Sequence, residues 1–433
     1  MMHSETAFLI NTLSFLVWGG LVMWMCAGFT MIEAGSVRTR NASVTCLKNI
    51  GLCSIAVLTY YLVGFNLMFV DVEPGGWIGA LTLFQGSTPA ERQLLQGHEE
   101  ALDTVVATGH ASMSRWLFGM VFVASSASIV SGTLAERVKL WPFFLFIVVL
   151  TGVIYPVVGA WAWGGGWLAE LGFHDYAGST VVHATGGWAA LAGVLIVGAR
   201  SGKFREDGTV RSTPPANIPA VTLGVFFIWL GFLGFNGASQ LAFGSTFDAL
   251  AVTNVLVNTN LAAAAGTLTA LTVSRPWFGH VDFQASVNGA IAGLVAIAAG
   301  PDFADHAWAL FIGATGALVC TSGMKLLLML KIDDEVGAVS AHMGAGVWGT
   351  LAVCFTHDVD LLAQLAGVAA VGGFVFVSSF IVWWVIDVLL GVRNPPQVER
   401  AGQDLAELGI VAYPEFMLID DADHVKGHPS PHP

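Results

Sequence analysis

The feature that most constrains this chain is its succession of long apolar runs nearly free of charge. A bilayer core about 30 Å thick takes roughly 20 apolar residues in one helix, and eleven such runs can be read. They lie near 7–33, 47–70, 113–134, 141–162, 178–199, 218–242, 247–274, 281–300, 305–327, 336–355 and 361–390. The seventh and eighth are the least clearly separated. Only 11% of the 433 residues are charged and 55% are hydrophobic, whereas a soluble domain carries about 25% charged residues to meet water. The 51 glycines suit membrane helices that approach one another through small side chains. The expected fold is an all-α membrane protein of eleven transmembrane helices in a lipid bilayer.

Charge sets the predicted orientation, because basic residues gather in cytoplasmic loops. With the N-terminus outside, Arg38, Arg40, Lys48, Arg137, Lys139, Arg200, Lys203, Arg205, Arg211, Arg275, Lys325, Lys331, Arg393, Arg400 and Lys426 all fall inside. Only Arg92 and Arg115, of 17 Lys and Arg, fall outside. The outer segment 71–112 carries Asp71, Glu73, Glu91, Glu99, Glu100 and Asp103 instead. The prediction is therefore N-out and C-in, multi-pass, in the inner cell membrane. The N-terminal MMHSETAF has no basic residue, so it is read as retained, not as a cleaved signal. Net charge of −13 and the lack of any basic tract argue against nucleic acid as a partner. The five cysteines lie in or beside apolar runs with no CxxC spacing, so no disulfide framework is expected.

The division is a membrane domain, 1–392, followed by a cytoplasmic C-terminal tail, 393–433. Asn394-Pro395-Pro396 stops the last helix. The tail reads as a solvated segment, with a docking element for a regulator as the alternative. Its His424, His428 and His432 are not expected to form a metal site.

Spans five and ten share a pattern. Asp175 precedes His183 by eight residues, followed by Gly187, Trp188 and Leu191-Ala192. Asp334 precedes His342 by eight, followed by Gly346, Trp348 and Leu351-Ala352. This suggests two inverted five-helix repeats with a peripheral eleventh helix, an arrangement that puts a substrate path at the repeat interface. At about 1.5 Å per residue, each histidine lies about 12 Å beyond its aspartate, inside the bilayer. An ionisable residue there marks a functional site by default. A neutral imidazole offers one donor and one acceptor, and two coupled rings can share a proton. The alternative is a pair of buried histidines bonded to backbone. Metal is disfavoured, since no third ligand lies at suitable spacing.

Phe118 and Phe122 are four apart and share a helix face. Trp163 closes span four ahead of three glycines, and Phe235 in GFNGAS precedes Ser239 by one turn. Ordinary packing and an interfacial aromatic belt account for each separately. Together they could form a cation site, each ring attracting ammonium by about 0.5–2 kcal/mol. That cannot repay moving a bare cation into hydrocarbon, so deprotonation or a parallel proton path is required. GxGxxG at Gly344, Gly346 and Gly349 lies inside an apolar span with no preceding strand and is no nucleotide loop.

The stretches MCAGFTMIEAGSVRTRN, SGTLAERVKLWPF, WGGGWLAELGFHDYAGSTVVH, GFLGFNGAS, KIDDEVGAVSAHMGAGVWGT and AYPEF resemble the Amt/Mep/Rh ammonium transporter family, in family order across nearly the whole membrane region. The resemblance implies an eleven-helix homotrimer that conducts ammonium or ammonia without a cofactor and is not an enzyme. It implies Phe122 and Phe235 as a stacked gate. Phe118, Trp163 and Ser239 would make the outer ammonium site with Phe122, and Asp175 would order it from behind. His183 and His342 would be the paired pore histidines, and a cytosolic PII-type regulator would meet the C-terminal tail. Three positions depart from the family pattern: Gly337 and Met343 stand where Asp and Gly are common, and Glu33 where Tyr is. An ammonium sensor of the same fold is the alternative function, and a membrane enzyme the third.

Overall fold

A computed structural model describes residues 2–84 and 86–416. The tail histidines and Lys426 lie outside the described residues. Among the described residues nine helices are long and apolar enough to cross a membrane: α1 (Ser4–Ser36), α2 (Thr39–Phe69), α3 (Glu99–Thr133), α4 (Leu140–Glu170), α5 (Ser179–Val197), α6 (Ile218–Ala238), α7 (Thr246–Phe278), α9 (Ala307–Met329) and α11 (Leu361–Leu390). Between them stand two shorter apolar helices, α8 (Phe283–Ile297) and α10 (Val339–Phe355). Each of the eleven predicted runs therefore contains a helix, but two of them fall short of the length assumed. At 15 residues, α8 spans only about 22 Å along its axis, less than a hydrocarbon core. Among the described residues no strand forms, only two isolated bridges.

Local chemistry sets the breaks. The unclear boundary between α7 and α8 is made by Gly279 at φ 85°, a left-handed turn that favours glycine. Asp282 then accepts the backbone N–H of Ala285 and opens α8. Ser245 and Asp248 form a reciprocal capping box at the start of α7. Asn217 caps α6, and Asp360 caps α11. These side chains satisfy N–H groups that the first helical turn leaves open.

The packing has a repeated plan. Helices α1 and α6 lie against each other along their length. Gly28 on α1 and Gly224 on α6 permit that contact: a Cβ on Gly28 would come within 2.7 Å of Ile228, and one on Gly224 within 2.6 Å of the Gly28 carbonyl oxygen. Helix α2 packs on α3 and α4, and α7 packs in the same way on α8 and α9. Helix α5 touches α10 and is flanked by α11.

At one end a charged cluster ties the loops together. Glu136 accepts Arg38 and Arg200, while Arg200 also meets Asp333 and Glu335. Arg137 is buried and donates to the carbonyls of Gly198, Ala135 and Asp333. Burial alone would raise the Glu136 carboxyl, but Arg38 and Arg200 outweigh it and hold it at about 2.

This end also corrects the reading of the tail as solvated for its first part, residues 393–408. After α11 the chain turns back through α12 (Pro396–Ala401). Glu399, Gln403 and Asp404 are buried. Asp404 accepts the N–H groups of Ser43 and Val44 at the start of α2 (2.9 and 2.8 Å), and Glu407 accepts that of Leu140 at the start of α4 (3.1 Å). The acidity of the tail is what docks it, because carboxylates fit exposed helix N-termini.

Candidate functional site

The Asp-x7-His-x3-Gly pattern builds two matching corners. Asp175 accepts backbone N–H groups from Gly178, Thr180 and Val181 at 3.0, 2.9 and 2.8 Å. Asp334 accepts those of Ala338 and Val339 at 3.2 and 2.7 Å. Burial pushes each carboxyl up to about 6, with the N–H donors opposing it. Three residues after each aspartate stands a glycine with positive φ, Gly178 at 111° and Gly337 at 78°. The departure at Gly337 thus has a physical reason: it makes the same left-handed turn as Gly178.

Each corner opens into one wide turn of π-helix, Ser179–Ala184 and Val339–Gly344, a local form often found at functional sites. Each carries its histidine. The glycine four residues on lets the opposite turn approach. A Cβ at Gly187 would lie 2.6 Å from Met343, and one at Gly346 would meet the Ser179 carbonyl and lie 3.2 Å from the Ala184 nitrogen. Met343 and Ala184 each directly follow their histidine. Across the same seam the hydroxyls of Thr180 and Thr350 lie 2.6 Å apart.

The two imidazoles consequently meet. His183 Nδ1 and His342 Nδ1 are 3.2 Å apart, and the rings stack with centroids 5.2 Å apart and planes 25° apart. Both are buried. One Nδ1 must carry the proton and the other accept it. His183 Nε2 is buried without a hydrogen-bond partner. Phe232 stacks on His183 at 5.1 Å, and Phe29 lies 5.8 Å from His342.

On one side of the pair, Phe235 leans on His183 at 5.1 Å and stacks on Phe122 at 4.0 Å with planes 12° apart. Beyond Phe122 opens a vestibule of about 310 Å³, lined by Phe118, Phe122, Trp163, Ser239, Met68, Phe69, Arg115, Tyr155 and Tyr176, among others. Four of the five residues expected at a cation site thus line one cavity. Asp175 does not line it. It stands behind, its carbonyl accepting the Trp163 indole N–H at 2.7 Å. Ser239 Oγ donates to the Phe235 carbonyl at 2.8 Å, which leaves its oxygen free to accept.

Sequence reasoning missed Arg115, Tyr155 and Tyr176. Arg115 lies 4.6 Å from the Phe69 ring centroid, a fixed cation in the wall of a cavity suited to cations. Its signal was present: it is one of two Lys or Arg predicted outside, three residues before Phe118. Tyr176 directly follows Asp175, and its hydroxyl donates to Gln240.

On the other side of the pair lies a chamber of about 20 Å³ lined by His342, Phe29, Ile32, Glu33, Ser128, Asn288 and others. Among the described residues no group of three or more His, Cys, Asp or Glu could hold a metal ion.

The fold and its apolar helices define a multi-pass membrane protein. The profile of the Ammonium Transporter Family matches residues 13–413, and the chain belongs to that family. It is 34% identical over 436 residues to the ammonium transporter Amt2 of Archaeoglobus fulgidus, covering 94% of this chain and 88% of the relative. A solved structure titled as a sensor Amt protein superposes with TM-score 0.84 at 32% identity, covering 93% of this chain and 99% of that one. The Mep2 structure from Candida albicans gives 0.78 at 26%, covering 95% and 93%.

Proposed function

We propose that this chain transports ammonium-derived nitrogen across the inner cell membrane through a conduit between its two halves. Eleven spans with the N-terminus outside and the C-terminus inside put the 310 Å³ vestibule on the outer face. Helices α1–α5 and α6–α10 then form inverted repeats, with α11 peripheral. Supporting this are the common packing of α2 and α7 on their successors, the matching corners at Asp175 and Asp334, and the collection of basic loops at one end.

In this reading ammonium enters the vestibule and meets the faces of Phe118, Phe122 and Trp163 and the Ser239 oxygen. Aromatic faces offset part of its lost hydration, but a bare cation does not pass the apolar stretch beyond. Arg115 works in the same direction: a like charge nearby disfavours the charged form, so the proton leaves more readily there. The stacked rings of Phe122 and Phe235 are the gate, and Asp175 fixes Trp163 from behind. Beyond the gate the histidine pair offers an acceptor and a donor to ammonia in a dry segment. No cofactor takes part. The subunit is proposed to act within a homotrimer, with residues 393–433 as the element that a cytosolic PII-type regulator meets.

The observation that carries this reading is the 3.2 Å contact of two buried imidazoles from corresponding corners. Its test is methylammonium uptake into cells lacking their own transporter. His183→Ala lowers uptake by about tenfold or more, the factor that loss of a buried hydrogen-bonding group in a conduit carries. Uptake equal to wild type removes the pair from the path. The receptor alternative is not favoured, since the curated relative above is named a transporter. It predicts ammonium binding without flux, and signalling lost on removal of residues 393–433.

A further inference from the structure

Glu33 occupies an unusual position for a carboxylate. It sits on α1 within the membrane and is 1% exposed. One oxygen is fully engaged: Oε2 accepts the Ser131 hydroxyl at 2.6 Å and the Asn49 amide at 3.1 Å, with Lys48 Nζ 3.7 Å away. The other, Oε1, is buried with no hydrogen-bond partner. A buried unsatisfied acceptor costs about 1–3 kcal/mol, and more when charged, so its presence here calls for a physical reason. Glu33 lines the small chamber that His342 also lines. It stands one helical turn beyond Phe29, the ring that packs on His342. The chamber, at about 20 Å³, admits a single water-sized molecule, since about 10–15 Å³ suffices for one.

We propose that Glu33 Oε1 is a binding station for the transported nitrogen as it leaves His342, taking a small N–H donor the size of water. Lys48 compensates the carboxylate: its ammonium is buried, donates to the Ser131 carbonyl at 2.8 Å and lies over the Phe143 ring. The Glu33–Lys48 pair is therefore close to neutral, and the free oxygen acts as a directional acceptor for ammonia without trapping a cation. The neighbouring Ser128 donates to the Ala124 carbonyl at 3.0 Å, and the Asn288 amide is held by the Gln284 and Val336 carbonyls. Glu33 is thus the carboxylate among the residues that line this chamber, and Oε1 is its unengaged oxygen.

This inference rests on the transport reading above, and the test separates the two. Full-length protein is reconstituted in liposomes, and initial uptake is measured over a range of ammonium concentrations. In Glu33→Gln the amide oxygen is retained by Ser131, Asn49 and Lys48, which all donate. The amide NH2 then turns into the chamber, so an acceptor becomes a donor. Maximal flux should fall about tenfold, the worth of one hydrogen bond to a charged group, while KM changes less than about twofold because the vestibule is untouched. The double variant Glu33→Gln, Lys48→Met removes the unpaired ammonium as well. If Glu33 only neutralises Lys48, the double variant recovers wild-type flux, and the proposal is overturned. It is also overturned if Glu33→Gln alone transports at the wild-type rate. Persistent slow flux in the double variant, with unchanged KM, supports it. His183→Ala in the same liposomes is the reference: full activity there defeats the transport reading itself.

Discussion

At the residue scale, the vestibule sets two opposing tendencies side by side. Trp163 offers an aromatic face held by the Asp175 carbonyl, and Arg115 brings a positive charge into the same wall. Replacing Trp163 with Leu removes about 0.5–2 kcal/mol of cation attraction, so KM for ammonium should rise several-fold with little change in maximal flux. An unchanged KM in the uptake assay takes Trp163 out of the site. Arg115→Met should act oppositely, since removing a like charge favours bound ammonium but makes its proton harder to lose. KM should fall while maximal flux also falls, a split that simple misfolding does not produce. Equal loss of affinity and flux would mark Arg115 as structural. Trp163, Phe118, Phe122 and Ser239 were legible together through the motifs that resemble the family, because packing and an interfacial aromatic belt account for each one separately. Arg115 was visible only as a count in a charge tally. Its direction into the cavity depends on which face of α3 meets α2, which no local pattern records.

At the element scale, the matched corners explain why an eight-residue spacing was readable so far apart in the chain. Aspartate, positive-φ glycine, π-turn and histidine form one local unit, and the aspartate and the glycine follow from backbone demands that recur in both copies. The trailing glycine belongs to a longer-range contact, where each histidine turn fits against the opposite one. Gly187→Ala should therefore force Met343 away, at about 1–3 kcal/mol for overpacking, and loosen the histidine contact. A lowered thermal midpoint with reduced flux checks this, and wild-type values for both would contradict it. The tail was misread at this scale because helix N-termini far away in sequence provide its partners. Asp404→Ala leaves the Ser43 and Val44 N–H groups without their cap, at about 0.5–2 kcal/mol. Faster amide exchange at the start of α2 is the readout, and unchanged exchange there would show that the cap is dispensable.

At the scale of the whole molecule, the basic loops at one end enter a buried charged cluster. Glu136 and Asp333 sit among Arg38, Arg200 and Lys203, and Asp333 is held well below the usual carboxylate range, burial being outweighed by Arg200. Breaking such a buried cluster from one side costs about 3–5 kcal/mol, so Arg200→Met should lower the melting temperature markedly, read by thermal unfolding in detergent. Glu136 is depressed to about 2 from an ordinary 4.5. Its contribution is complete above that ordinary value and is lost as pH falls toward 2, so this end should loosen across that window and not near neutrality. Composition made the membrane class and most helices plain. The short α8 and α10 were overextended because apolar residues continue past the helix ends into buried loops. The central claim is that nitrogen passes along the paired imidazoles, and the most direct measurement is ammonium accumulated in liposomes carrying the reconstituted protein after an ammonium jump, compared with His342→Ala. The account predicts an ammonium-dependent translocation signal in wild type that His342→Ala reduces severely. Ammonium binding with no translocation, or equal translocation in both proteins, would contradict it.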